Sequence, residues 1–111
     1  MKKLMMVSVV AVLGFAGEAA ATPTGLRKIL NMGCETDRNI CWVDVSGAAV
    51  GPAGCSSTSL RFSPASTNGK SILSLLTGAF LAGKEVNFEV NTTTCFAEQP
   101  TFPVIGYINF I

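Results

Sequence analysis

The chain has 111 residues, enough for one domain, with eight Lys and Arg against seven Asp and Glu for a net charge of +1. That balance argues against a nucleic-acid binder, which depends on a basic excess. Histidine is absent, which excludes Ser-His-Asp and Cys-His nucleophile systems and His-ligated metals; no catalytic residue, metal site or cofactor is expected.

Met1-Lys2-Lys3 is a basic start, Leu4 to Phe15 an apolar run, and Ala19-Ala20-Ala21 a set of small residues. This three-part pattern predicts an export signal over residues 1–21, cut after Ala21. The apolar run is short for the roughly 30 Å of a bilayer core, and Glu18 follows it closely. Removing Lys2, Lys3 and Glu18 leaves the domain at 22–111 formally neutral. A secreted or periplasmic bacterial protein is expected, with no membrane span after cleavage and no nucleic-acid partner.

Beyond the signal, Gly25–Gly33 (GLRKILNMG) reads as a first strand and Cys34–Asn39 as a polar turn. Ile40–Val45 (ICWVDV) is rich in β-formers and reads as a second strand. A glycine-rich connection, Ser46–Thr58, leads to a third strand at Ser59–Ser63 (SLRFS), with Leu60 and Phe62 on one side. Ser66, Thr67 and Asn68 offer helix N-caps. Ile72, Leu75, Leu76, Ala79 and Phe80 then follow helical spacing, and Gly83 fits a glycine stop, so a helix is predicted over Gly69–Ala82. Glu85–Val90 alternates strictly, with Val86, Phe88 and Val90 inward and Glu85, Asn87 and Glu89 solvated, as a fourth strand. Asn91–Pro103 reads as a loop and Val104–Ile111 (VIGYINFI) as the fifth strand. In that last strand Val104, Ile108 and Phe110 take one face, and Ile105, Tyr107 and Ile111 the other.

The order β-β-β-α-β-β is that of the OB-fold, a mainly β class in which five strands form a Greek-key barrel with one helix. An open antiparallel sheet with a helix on one face is the alternative. The four cysteines, Cys34, Cys41, Cys55 and Cys95, are even in number and lie in an exported domain, which favours disulfides. Their spacing does not suit a zinc knuckle, and there is no C-x-x-C pair. Three connectivities are open. In an OB barrel the third and fifth strands are parallel neighbours, so Cys55 and Cys95, which precede them, can meet. Cys34 and Cys41 can meet across the first turn. The expected bridges are Cys34–Cys41 and Cys55–Cys95.

The segment NGKSILSLLTGAFLAGKEVNFEV is a helix followed by a G-K-x-V element and a strand, and QPTFPVIGYINF is an aromatic–proline turn into the last strand. Over about residues 66–110 this pattern resembles the B subunits of the subtilase cytotoxin and typhoid toxin class. The resemblance implies a small secreted OB-fold subunit of a pentameric ring, binding cell-surface glycans and accompanied by an A-type subunit. No glycan-contacting residue of that family is placed on this chain.

Trp42 is the lone tryptophan; it is either a sugar platform or, as its apolar strand favours, a core or interface aromatic. Asp44, Glu85, Glu89 and Glu98 are the carboxylates that a glycosidase would need to pair across a cleft. A barrel this small offers little room for one. Ser71, Ser74, Gly78 and Ala82 form a small-residue stripe on the helix, which faces either a neighbouring subunit or solvent. Ile105, Tyr107 and Ile111 are expected to face outward and to need cover from a neighbour or from the chain's own loop. Asn91-Thr92-Thr93 is a sequon, read as incidental in a bacterial protein. Two functions follow as expectations: a homopentameric glycan-binding subunit, or a monomeric secreted OB-fold protein that binds a small ligand or inhibits an enzyme.

Overall fold

The structure, a computed structural model, describes residues 21–111. The expected export segment lies outside these residues except for Ala21, which opens the first strand opposite Asn91. Six strands are present: β1 (Ala21–Arg27), β2 (Ile29–Cys34), β3 (Cys41–Val45), β4 (Ser59–Phe62), β5 (Val86–Cys95) and β6 (Pro103–Asn109). One helix, α1 (Gly69–Ala82), separates β4 from β5. The fold is mainly β, one six-stranded sheet in the order β1-β5-β6-β4-β3-β2. All pairings are antiparallel except β4 with β6, which meet in parallel at Arg61 and Val104.

The single first strand expected at Gly25–Gly33 is two strands. The chain pairs with β5 up to Arg27 and with β3 from Ile29. The row of strands therefore begins and ends on one stretch of backbone joined through Lys28. Arg27 fixes the turnover point, donating from Nη1 to the carbonyl oxygens of Ser46 (2.6 Å) and Ala48 (2.9 Å). These charge-assisted bonds tie β1 to the connection after β3. That connection carries a short 3₁₀ turn at Ala53–Cys55.

The helix has the limits its periodicity predicts. Gly83 ends it in the left-handed region (φ 69°), its N–H and that of Lys84 bonding to the carbonyls of Phe80 and Ala79. At its start Asn68 sits in the cap position without a side-chain bond. Gly69 is needed for a different reason: a Cβ there would overlap the Ser63 carbonyl oxygen. Gly69→Ala should therefore lower the melting temperature by several degrees, checked by thermal unfolding.

The core gathers Val43, Leu60, Phe62, Ile72, Leu76, Val86, Phe88 and Val90 with Ile29 and Ile105. Two residues of the expected helical core are not in it. Leu75 (46% exposed) and Phe80 (41% exposed) flank the buried stripe of Ile72, Leu76 and Ala79.

Asn87 and Glu89, expected on a solvated face, are buried. β5 is paired on both sides, and β1 bulges between Pro23 and Leu26. Asn87 fills that irregularity: its Oδ1 accepts from the Gly25 N–H (2.9 Å), and its Nδ2 donates to Glu89 Oε2 (3.2 Å) and Asn109 Oδ1 (3.0 Å). A strand flanked by a bulge draws a side chain into its ladder. β5 also continues through Asn91–Cys95, read from sequence as loop, since β-branched threonines extend it to the Cys95–Pro103 pair.

The last strand corrects a further expectation. Ile105 is buried in the core, not outward. The register shifts so that Val90 faces Ile105 while Glu89 faces Tyr107, leaving Gly106 as an extra residue. The bulge reverses the alternation: Tyr107 points out (53% exposed) and Ile108 packs against the core. Phe110 and Ile111 lie beyond β6.

Candidate functional site

Alternation in β3 buries Cys41, Val43 and Val45 and leaves Trp42 and Asp44 on the outer face. In β4 Leu60 and Phe62 face the core, so Ser59 and Arg61 share the outer face with Trp42 and Asp44. Register aligns Trp42 with Arg61 and Asp44 with Ser59; on the other side Gly33 faces Trp42, and Asn31 faces Asp44. Six residues from three strands thus form one polar and aromatic plate.

The plate is cross-linked by side chains. Ser59 Oγ donates to Asp44 Oδ1 (2.5 Å), Asn31 Nδ2 to Asp44 Oδ2 (3.2 Å), and Arg61 Nη1 to Ser59 Oγ (2.7 Å). Arg61 Nε donates to Gln99 Oε1 (2.6 Å), and its guanidinium carbon lies 3.6 Å from the centre of the Phe102 ring. Gln99 and Phe102 belong to the loop between β5 and β6, which folds back over the sheet through backbone bonds Phe96 N to Phe102 O and Phe102 N to Gln99 O. The loop between β2 and β3 reaches the same place: Gln99 Nε2 contacts Glu35 Oε2 (3.4 Å), and Glu35 pairs with Arg38 (2.7 Å).

Arg61 is consequently only 9% exposed. Burial lowers its pKa, and the carboxylates of Asp44 and Glu35 act the other way. A guanidinium stays charged at any ordinary pH, and stacking on Phe102 suits its weak hydration.

Trp42 reaches the surface through an absence of side chain opposite it. Its indole occupies the space a Cβ at Gly33 would take, 2.6 Å from that position. The indole is half-buried on the outer face of the sheet, with Gly33 leaving room for it. Gly33→Ala should push the ring outward. Because Trp42 is the only tryptophan, the displacement is read as a red shift of intrinsic fluorescence.

Both bridges join the pairs expected from the strand ends: Cys34–Cys41 (Cα–Cα 4.0 Å) closes the turn beside Gly33, and Cys55–Cys95 (Cα–Cα 6.1 Å) anchors the base of the loop bearing Gln99 and Phe102. No free cysteine is present among the described residues. Two disulfides point to an oxidising, non-cytoplasmic compartment. No helix among the described residues is long and apolar enough to cross a membrane.

The other sequence-predicted site residues lie elsewhere. Ser71, Ser74 and Gly78 are exposed on α1. Ser74, Leu75, Gly78 and Phe110 line an apolar groove of about 320 Å³ between the helix and the chain end. Leu81 (80% exposed) and Ile111 (77%) add apolar surface. Ile105 is interior, so it cannot belong to that surface, whereas Tyr107 and Ile111 remain outward. Of the four carboxylates, Asp44 is in the plate, Glu89 is bonded to Asn87 inside the sheet's other half, and Glu85 and Glu98 are exposed. Among the described residues no three His, Cys, Asp or Glu side chains cluster to hold a metal.

Ser59, Arg61, Gln99 and Phe102 escaped the sequence reading. The alternation of SLRFS does place Ser59 and Arg61 opposite Leu60 and Phe62, and pairing with CWVDV sets them beside Trp42 and Asp44. The contribution of Gln99 and Phe102 depends on the loop's return and leaves no periodic signal. Comparison with protein-family models, curated proteins and solved structures gave no match.

Proposed function

We propose that the chain is a non-catalytic carbohydrate-binding module of the OB-fold type, secreted or periplasmic in a bacterium, acting as a subunit of a homo-oligomeric ring. The OB reading is supported by the parallel β4–β6 neighbours, the first strand divided between two partners at Lys28, and the helix between β4 and β5. One observation carries the binding role: the plate of Trp42, Asp44, Ser59 and Arg61 lies on the two strands, and between the two loops, where OB barrels take oligosaccharides. A half-exposed indole beside fixed hydrogen-bonding groups suits a sugar, which is apolar on its ring faces and polar at its rim.

The assembly reading rests on α1, whose Leu75 and small residues line the groove with Phe110 and whose Leu81 adds exposed apolar surface. A cell-surface glycan on the plate and an A-type subunit on the ring complete the toxin-like picture. The interior position of Ile105 favours the second reading, a monomeric small-ligand binder or enzyme inhibitor, because it removes one apolar residue that called for a neighbour.

Light scattering separates the two readings. The ring predicts the mass of several subunits, most simply five, and Leu75→Lys should reduce it to one while the circular dichroism spectrum stays that of the folded parent. A mass of one subunit for the unmodified protein at high micromolar concentration selects the monomer. A glycan array tests the binding role: signal that disappears in Trp42→Ala supports it, and a blank array defeats it.

A further inference from the structure

We propose that the Trp42–Asp44–Arg61 plate takes an uncharged pyranose and rejects acidic sugars and polyanions. The proposal rests on the carbohydrate reading of the same face and names its ligand class. Within the bonded network the charges cancel, and the two flanking loops add only the carboxylates of Asp37 and Glu98. Arg61 is bonded to Ser59, which is bonded in turn to Asp44, and Glu35 of the neighbouring loop pairs with Arg38. A carboxylate, sulfate or phosphate brought to Arg61 meets the Asp44 carboxylate next to it, and no unanswered cation offsets that repulsion.

The hydrogen-bonding capacity left over is of mixed sign. Each Asp44 oxygen accepts one bond in the network, from Ser59 or from Asn31, and retains a second lone pair. Arg61 uses Nε and Nη1 for Gln99 and Ser59, so Nη2 stands outside those two bonds. An acceptor and a donor fixed side by side call for a partner that both donates and accepts. A sugar hydroxyl does both; a carboxylate, sulfate or phosphate diester at neutral pH only accepts. Adjacent hydroxyls of a pyranose can give a proton to Asp44 and take one from Arg61 while the ring lies on the indole of Trp42. The network that holds Asp44 and Arg61 in place lowers the ordering cost of such binding.

The test uses the protein expressed with its natural N-terminus and with both disulfides formed. It is titrated by calorimetry with the methyl glycosides of galactose, glucose and mannose, with N-acetylneuraminic and glucuronic acid, and with oligothymidylate. Saturable binding of at least one neutral glycoside is expected, unchanged by added salt because no net charge is neutralised. Asp44→Asn, which keeps the side-chain volume, should weaken it by about tenfold or more. Trp42→Phe should weaken it less, with melting temperatures of both variants close to that of the parent. Binding of only the acidic sugars overturns the proposal and leaves the carbohydrate reading standing. Binding of oligothymidylate alone, or of no sugar up to about 10 mM, defeats both. Neutral binding that neither substitution alters places the ligand elsewhere and overturns the proposal.

Discussion

Leu76→Ala should lower the unfolding free energy by about 2–5 kcal/mol. Leu76 is fully buried and is the central residue of the stripe by which α1 contacts the core of Val43, Leu60 and Phe88. Truncation removes the transfer free energy of the lost carbons and leaves a cavity. The sheet around it cannot collapse inward, because strands paired on both sides hold their spacing. Denaturant unfolding monitored by Trp42 fluorescence measures the loss. Leu81→Ala, on the same helix but 80% exposed, is the control and should change stability by less than about 0.5 kcal/mol. A loss of that small size at Leu76 would mean that the helix does not seal the core.

Replacing both Cys55 and Cys95 by alanine should cost about 4 kcal/mol, on the chain-entropy account of cross-linking. The bridge joins residues 40 apart in sequence, so its removal frees a long loop in the unfolded chain. The same treatment gives about 2.5 kcal/mol for Cys34–Cys41, whose loop is short. The two losses should also differ in kind. Cys95 pairs with Pro103 at the base of the loop that presents Gln99 and Phe102 to Arg61. If the plate binds sugar as proposed, losing the long bridge should weaken that binding at a temperature where the protein is still folded. Chemical denaturation and calorimetric titration of the double variant separate these effects.

How much could be read in the sequence depended on the range of the interaction. The helix was legible to its last residue because its signals are local: apolar spacing from Ile72 to Ala79 and a glycine in the left-handed region at Gly83. The bridges follow from strand ends, whereas Trp42, for which an apolar strand favours a core or interface place, is put on the outer face with Asp44 by the alternation of β3. Bulges interrupt simple alternation in two strands. Gly106 reverses the phase of β6 and takes Ile105 inside, and the irregularity in β1 draws Asn87 into the sheet. A glycine within an apolar strand was the visible sign of the first; nothing local marked the second. Nothing in the sequence marks the burial of Arg61, which Phe102 and Gln99, some forty residues later in the chain, supply.

The division of the first strand at Lys28 orders the events of folding. β2, β3 and β4 are consecutive antiparallel strands, and their ladders close over the turn at 35–40 and the connection at 46–58, far shorter spans than the one β1 must close. β1 must instead find β5, with Thr22 opposite Val90, across most of the described chain. Contacts of such separation form late, since loop-closure entropy must be met before they contribute. One continuous stretch of backbone, from Ala21 to Cys34, therefore belongs to two kinetic populations. Amides of β3 bonded to β2 and β4 should acquire protection from hydrogen exchange early in refolding, and those shared by β1 and β5 should acquire it last.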